Sequence, residues 1–163
     1  MFTDSKRVLG DPYIPTPPKL VRAKLEFAEV ERGECVFDLG CGDGRVPIMA
    51  AKRYGARGVG IELQPSVAEI AWSKVVDHAV EDRVEIRCED YLESDLSAAD
   101  VVVLYMTFRT LATVSDKLRE LKPGARVVTH DFPLTGWALS QQGSWTSSKA
   151  RVVPLFLYRV PSR

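Results

Sequence analysis

Val36-Phe37-Asp38-Leu39-Gly40-Cys41-Gly42-Asp43-Gly44-Arg45 decides the fold of this chain, together with Gly58-Val59-Gly60-Ile61-Glu62 a short way downstream. The first stretch reads as an apolar strand running into a glycine-rich turn and then a helix. The second reads as another strand with an acid at its carboxyl end. A unit of this kind holds an adenosine, because glycines let the backbone approach the ligand and the carboxylate accepts from the ribose hydroxyls. Two details narrow the ligand. Gly40, Gly42 and Gly44 run Gly-x-Gly-x-Gly, one residue short of the dinucleotide spacing Gly-x-Gly-x-x-Gly. Asp38 lies two residues before the first glycine, where it repels a pyrophosphate and attracts an ammonium. The expected ligand has a ribose and an ammonium and no phosphate.

Working outward, strands and helices alternate. Residues 1–15 are proline-rich and aperiodic and read as an extended arm, since each proline biases its predecessor toward extended backbone. Thr16-Pro17 reads as an N-cap followed by proline at the first helical position. Leu20, Ala23, Phe27 and Val30 then form an apolar stripe that Gly33 ends. Strands are expected at 35–39, 57–61, 84–87, 100–104 and 125–129. Helices are expected at 45–54, from Pro65 with Val67, Ile70, Ala71 and Val75 inward, and along Leu111, Val114, Leu118 and Leu121 up to Lys122-Pro123-Gly124. Two further strands, near 145–148 and 155–160, follow with no long helix between them. The architecture expected is α/β: a single domain over 1–163, with a doubly wound, mostly parallel, seven-stranded sheet and an antiparallel closing strand.

Composition sets outer limits. At 163 residues, one domain buries roughly two thirds of the surface of its unfolded chain. Twenty-two Lys plus Arg balance 22 Asp plus Glu, so no global basic field advertises nucleic acid. The three cysteines, Cys35, Cys41 and Cys88, have no metal-binding spacing, and their odd count suggests reduced thiols. No stretch resembles a signal peptide or reaches the ~18–20 apolar residues of a membrane span. The expectation is a cytoplasmic, monomeric protein without a metal.

The motif Asp38-x-Gly40-x-Gly42-x-Gly44, with Glu62 ending the second strand, resembles that of the class I S-adenosylmethionine-dependent methyltransferases. Pro12-Tyr13-Ile14-Pro15-Thr16-Pro17 ahead of the first strand, and the late run from Leu121 to Phe132 with Gly136-Trp137 just after, narrow the resemblance. Together they are similar to the small archaeal and mitochondrial-type protein lysine methyltransferases, over essentially the whole chain. The resemblance implies a Rossmann-like fold, S-adenosyl-L-methionine as cofactor, and lysines on exposed protein segments as acceptors. It assigns to the cofactor Tyr13, Pro15, Thr16, Asp38, Gly40, Cys41, Gly42, Glu62, Leu63, Asp90, Tyr91 and Leu104. To the acceptor it assigns Tyr13, Tyr105 and Asp131, with Phe132 and Trp137 as further channel walls.

Each assignment has a plainer alternative. The glycines could serve only a tight strand-to-helix turn, and Asp38 could be a buried acceptor. Asp90 could cap a short turn, with Glu89 taking its place if the register slips. The arm could be a tail. Arg45 either reaches a carboxylate or lies on the surface, and Tyr105 either lines a channel or packs under the sheet edge. His130 reads better as a packed strand-end residue than as a base. The segment Leu104-Tyr105-Met106-Thr107-Phe108-Arg109 lacks the Asn/Asp-Pro-Pro-aromatic tetrad of adenine and glutamine methyltransferases, which argues against DNA adenine as acceptor. Methylation of a small molecule or of RNA, and cofactor binding without catalysis, are the competing functions.

Overall fold

The computed structural model describes residues 14–162. Its seven-stranded sheet has the order β3-β2-β1-β4-β5-β7-β6, with β1 Cys35–Leu39, β2 Arg57–Glu62, β3 Val84–Cys88, β4 Val101–Leu104, β5 Arg126–His130, β6 Gln141–Thr146 and β7 Val152–Arg159. The helices are α1 Pro18–Phe27, α2 Arg45–Tyr54, α3 Pro65–Asp77 and α4 Phe108–Leu118. β1 to β5 are parallel. β7 slots antiparallel between β5 and β6, so the expected doubly wound α/β sheet with an antiparallel strand is present. The last two strands begin earlier than the sequence suggested. β6 takes in Gln141, Gln142 and Gly143, which carry little β propensity, because the β7 ladder supplies their hydrogen bonds.

Side-chain alternation in β1 sorts the two faces. Val36 joins Val101, Val103 and Val128 beneath Val21 and Leu25 of α1 and Val46 and Ala50 of α2. Phe37 and Leu39 join Val102, Leu104 and Val127 against Leu111, Val114 and Leu118 of α4. By this alternation Asp38 falls on the α1 face. The sheet reverses direction between β1 and β4, which opens a crevice at the carboxyl ends of these strands.

Three expectations are corrected. Pro17 is the N-cap of α1 and Pro18 its first residue, one position later than read, and no side chain caps the end. The inward face of α1 is Leu20, Val21, Lys24 and Leu25, so the stripe is rotated and contains a lysine. Ile70 is 52% exposed, because α3 seats the small face Ala68, Ala71 and Val75 inward. Gly58, in the middle of β2, lets α2 lie close: a Cβ there would stand 2.6 Å from both Cβ and the carbonyl oxygen of Pro47.

Candidate active site

The crevice is a cleft of about 420 Å³ between the arm end (Ile14–Thr16), the glycine turn, Glu62–Gln64, Asp90–Tyr91 and Leu104–Met106, with Lys24 at its floor. The turn is pinned to β2, since Gly40 N and Cys41 N both donate to the Ile61 carbonyl (2.8 and 2.9 Å). Gly40 and Gly44 hold φ of 78° and 81°, a left-handed conformation that side chains disfavour. Glu62 accepts from Gly42 N with one carboxylate oxygen and from Gln64 N with the other, each at 3.0 Å. Every carboxylate oxygen has a second lone pair, so Glu62 is held in position with acceptor capacity left for a vicinal diol.

Asp38 is buried, lines the cleft, and has no hydrogen-bond donor among the described residues. Burial pushes its carboxyl up, against the pull of Lys24. An acid desolvated in this way favours its neutral form and keeps acceptor capacity toward the cleft. Cys41 lines the same wall, but burial and then the field of Asp38 push its thiol far up. It is therefore no thiolate nucleophile.

Of the two readings of Arg45 the structure shows the one that reaches a carboxylate, a clasp with Asp43. Arg45 donates to both Asp43 oxygens (3.0 and 2.8 Å) and, through Nη1, to the Thr16 carbonyl at 2.8 Å. Lys74 of α3 adds a 2.6 Å contact to Asp43. The Arg45 hydrogen bond is the main reason the Asp43 carboxyl sits well below the usual range, with Lys74 reinforcing it. Glycine turn and α3 thus meet at the Asp43 carboxylate, and Arg45 ties the arm end to it. Asp90 accepts from Leu92 N at 3.0 Å and lines the cleft, so it caps a turn and faces the crevice together.

Beyond β4 and β5 lies a second wall. The Tyr105 ring stacks on His130 with centroids 4.0 Å apart and planes 9° from parallel. The Tyr105 hydroxyl is 3.5 Å from Asp131 Oδ2, which Arg151 approaches to 2.8 Å. Asp131 has φ 66°, unusual for a residue with a side chain. Phe132 N donates to the His130 carbonyl across it at 2.8 Å, closing a tight three-residue turn. Burial, then the Lys24 charge, hold the His130 imidazole far below its ordinary range, so it stays neutral. Its Nδ1 faces Lys24 Nζ at 2.8 Å, and Lys24 also donates to the Leu104 carbonyl at 2.7 Å.

The cleft therefore gathers Pro15, Thr16, Asp38, Gly40, Cys41, Glu62, Leu63, Asp90, Tyr91, Leu104 and Tyr105. Gly42 adjoins it through Glu62, and Asp131 stands behind Tyr105. Tyr13 lies outside the described residues. Trp137 turns away: its indole N–H donates to Ser115 of α4 at 2.9 Å, and its ring meets Tyr158 edge-on. Lys24, Gln64, Met106 and Thr110 also line the cleft and were not singled out from sequence.

The ANTKMT methyltransferase domain matches residues 38–141, from the acid of the first strand to the start of β6. The chain belongs to this methyltransferase family. It is 41% identical over 128 residues, 77% of its length and 80% of the relative's, to a protein-lysine N-methyltransferase of Saccharolobus islandicus. It is 32% identical over 128 residues to the adenine nucleotide translocase lysine N-methyltransferase of Mus musculus, covering 77% of this chain and 55% of that one. The crystal structure of an RNA methyltransferase from Salinibacter ruber in complex with S-adenosyl-L-homocysteine superposes with a TM-score of 0.85 at 36% identity, over 92% and 95% of the two chains. Family and fold make this ANTKMT-type protein a class I enzyme with S-adenosylmethionine as its cofactor. The buried Asp38 carboxylate, the glycine cradle and the poised Glu62 fit that molecule's ammonium, backbone approach and ribose. Among the described residues no helix is long and apolar enough to cross a membrane.

Proposed function

We propose that this methyltransferase transfers methyl groups to lysine side chains of proteins. The observation that carries the reading is the wall beside the cofactor cleft. Tyr105 presents an aromatic ring at the cleft and points its hydroxyl to Asp131, so an alkyl chain finds an apolar face with an Arg151-paired carboxylate just behind it. Relatives named as lysine methyltransferases support it, as does the even charge balance.

In this reading Glu62 accepts from the ribose hydroxyls, and Asp38 meets the ammonium of the amino-acid end. Gly40, Cys41 and Gly42 supply close backbone, Asp90 and Tyr91 take the adenine, and Leu63 and Leu104 supply apolar walls. Pro15, Thr16 and Tyr13 close the arm over the site. When bound, S-adenosylmethionine supplies a methyl group activated by a sulfonium. Methyl transfer needs alignment of the acceptor nitrogen to ~3–3.5 Å, the near-attack distance. The acceptor lysine must also be neutral, which from a reference pKa of ~10.4 costs about 4.6 kcal/mol at pH 7. Tyr105 and its neighbours lower that cost by excluding water, and Asp131 orients the incoming ammonium before the proton leaves to solvent. His130, stacked and neutral, holds Tyr105 in place. One domain over 1–163, acting as a cytoplasmic monomer on exposed lysines, completes the reading.

RNA is the second reading, favoured by one surface. Lys52, Arg53 and His78 line a depression beside the cleft, next to Arg45 and Lys74 on their shared Asp43, and basic groups of this kind follow phosphates. The deciding experiment offers tritiated S-adenosylmethionine to cell protein, RNA and small-molecule fractions, with wild type beside Glu62→Ala. Methyl-lysine in protein, lost in the variant, is the expected result. Label confined to RNA or small molecules refutes the lysine assignment.

A further inference from the structure

Among the described residues, Lys24 is a buried amine with neutral partners only. It projects from the core side of α1 at 2% exposure and lines the cleft. It donates to a backbone carbonyl and an imidazole nitrogen, and no carboxylate lies within 4 Å of it among the described residues. An ammonium in that setting has lost its hydration without gaining an ion pair, so its charge is weakly supported.

The other ionisable groups around it have their own partners or stay neutral. Asp43, on the glycine turn, is clasped by Arg45 and Lys74. Glu62, at the end of β2, is tied to two backbone amides. His130 on β5 is neutral. Asp131 pairs with Arg151 and contacts Tyr105. Across the cleft Asp90 accepts from Leu92 N and Arg45 is held by Asp43. Burial pushes the Asp38 carboxyl on β1 up as it pushes the Lys24 ammonium down, against their mutual attraction and the weaker pull of Asp131 on Lys24.

The methyl donor and its demethylated product share a ribose, an ammonium and a carboxylate, and differ in one methyl group and the sulfonium charge. That charge enters the cleft that Lys24 lines. At a separation of roughly 6–9 Å and an effective dielectric of ~20, two unit charges change an acid dissociation constant by roughly ten- to hundred-fold. We propose that Lys24 is the residue that distinguishes donor from product: it releases its proton when the cleft takes S-adenosylmethionine and retains it when the cleft takes S-adenosylhomocysteine. The sign follows from linkage. A ligand that prefers the neutral amine binds more tightly as pH rises through the titration of Lys24 in the free protein, and the product shows less of this dependence. Lys24 thus biases the cleft toward the product only while it stays charged, and that bias fades as pH rises. The inference rests on the cofactor and is independent of the acceptor.

Isothermal titration calorimetry on the full chain tests it, with each ligand in phosphate and in Tris from about pH 6 to about pH 9. Buffers of different ionisation enthalpy report the protons released on binding. Wild type is expected to release more protons with S-adenosylmethionine than with S-adenosylhomocysteine, by up to about one at some pH in the range. A proton that Asp38 yields to the ligand ammonium would appear with both ligands, since both carry that group, and any further proton that the sulfonium draws from Asp38 would persist in Lys24→Met. In Lys24→Met the excess is expected to vanish while S-adenosylhomocysteine still binds. In Lys24→Arg, which stays charged, the affinity ratio is expected to move toward the product by roughly ten-fold or more. Equal proton release for the two ligands at every pH in wild type overturns the proposal whatever the variants do. So does an excess that persists in Lys24→Met. Failure of both ligands to bind would sink the cofactor assignment as well, which separates the two outcomes.

Discussion

Exchanging Glu62 for glutamine is expected to weaken S-adenosylhomocysteine binding about a hundred-fold while the fold stays intact. The carboxylate has two oxygens, each holding a backbone amide at 3.0 Å, from Gly42 and Gln64. Glutamine offers one oxygen and one NH₂ group, so one of those amides faces a donor instead of an acceptor. The same loss falls on the ligand: one of two charge-assisted bonds to the ribose disappears and the other becomes neutral. A hydrogen bond to a charged group is worth ~1.5–3 kcal/mol and a neutral one ~0.5–1.5. The combined loss is about 3 kcal/mol, or roughly a hundred-fold in Kd. The protein itself loses one backbone partner, about 1 kcal/mol, which lowers Tm by ~2–4 °C in a chain of this size. Calorimetric titration and a thermal melt measure the two effects separately. Binding within about three-fold of wild type, with an unchanged melt, would refute the assignment of Glu62 to the ribose.

Gly58→Ala is expected to destabilise the protein by ~1–3 kcal/mol, because its new methyl would meet Pro47 backbone at 2.6 Å; chemical denaturation measures this, and a neutral result would mean that α2 slides freely over β2. Asp43→Asn should cost stability at neutral pH. Since the Asp43 carboxyl is held below its unfolded value of ~3.9, its contribution is present above about pH 4 and fades as pH falls through the lowered folded value. Urea melts should therefore show wild type and variant converging in acid, and a constant gap would contradict the clasp. Asp131→Asn should slow methyl transfer to protein with little change in S-adenosylhomocysteine affinity; an equal loss in both would move Asp131 to the cofactor side.

Residues whose role is set by near neighbours in the chain were readable, and those set by distant ones were not. The glycine turn announced itself because positive φ restricts the choice of residue at Gly40 and Gly44. β4 announced itself as an unbroken apolar run, as a strand covered on both faces must be. Ile70 misled, because hydropathy alone cannot tell which of two overlapping helical stripes is seated on the sheet. Trp137 misled for a related reason: an aromatic near the site in sequence found a better partner in Ser115 and Tyr158.

Local chemistry along the chain thus determined the parallel sheet, the cofactor cradle, the acid at the end of β2 and, through them, the enzyme class. Tertiary structure alone decided that Lys24 would meet Leu104 and His130, 80 and 106 positions away, and that Arg151 would approach Asp131 across 20. It also decided that Arg45 would bind the arm at Thr16. A lysine in a helix reads as solvent-facing because its hydration normally keeps it there. Desolvation and Coulomb interaction depend on distance through space, and that distance exists only once the chain has folded.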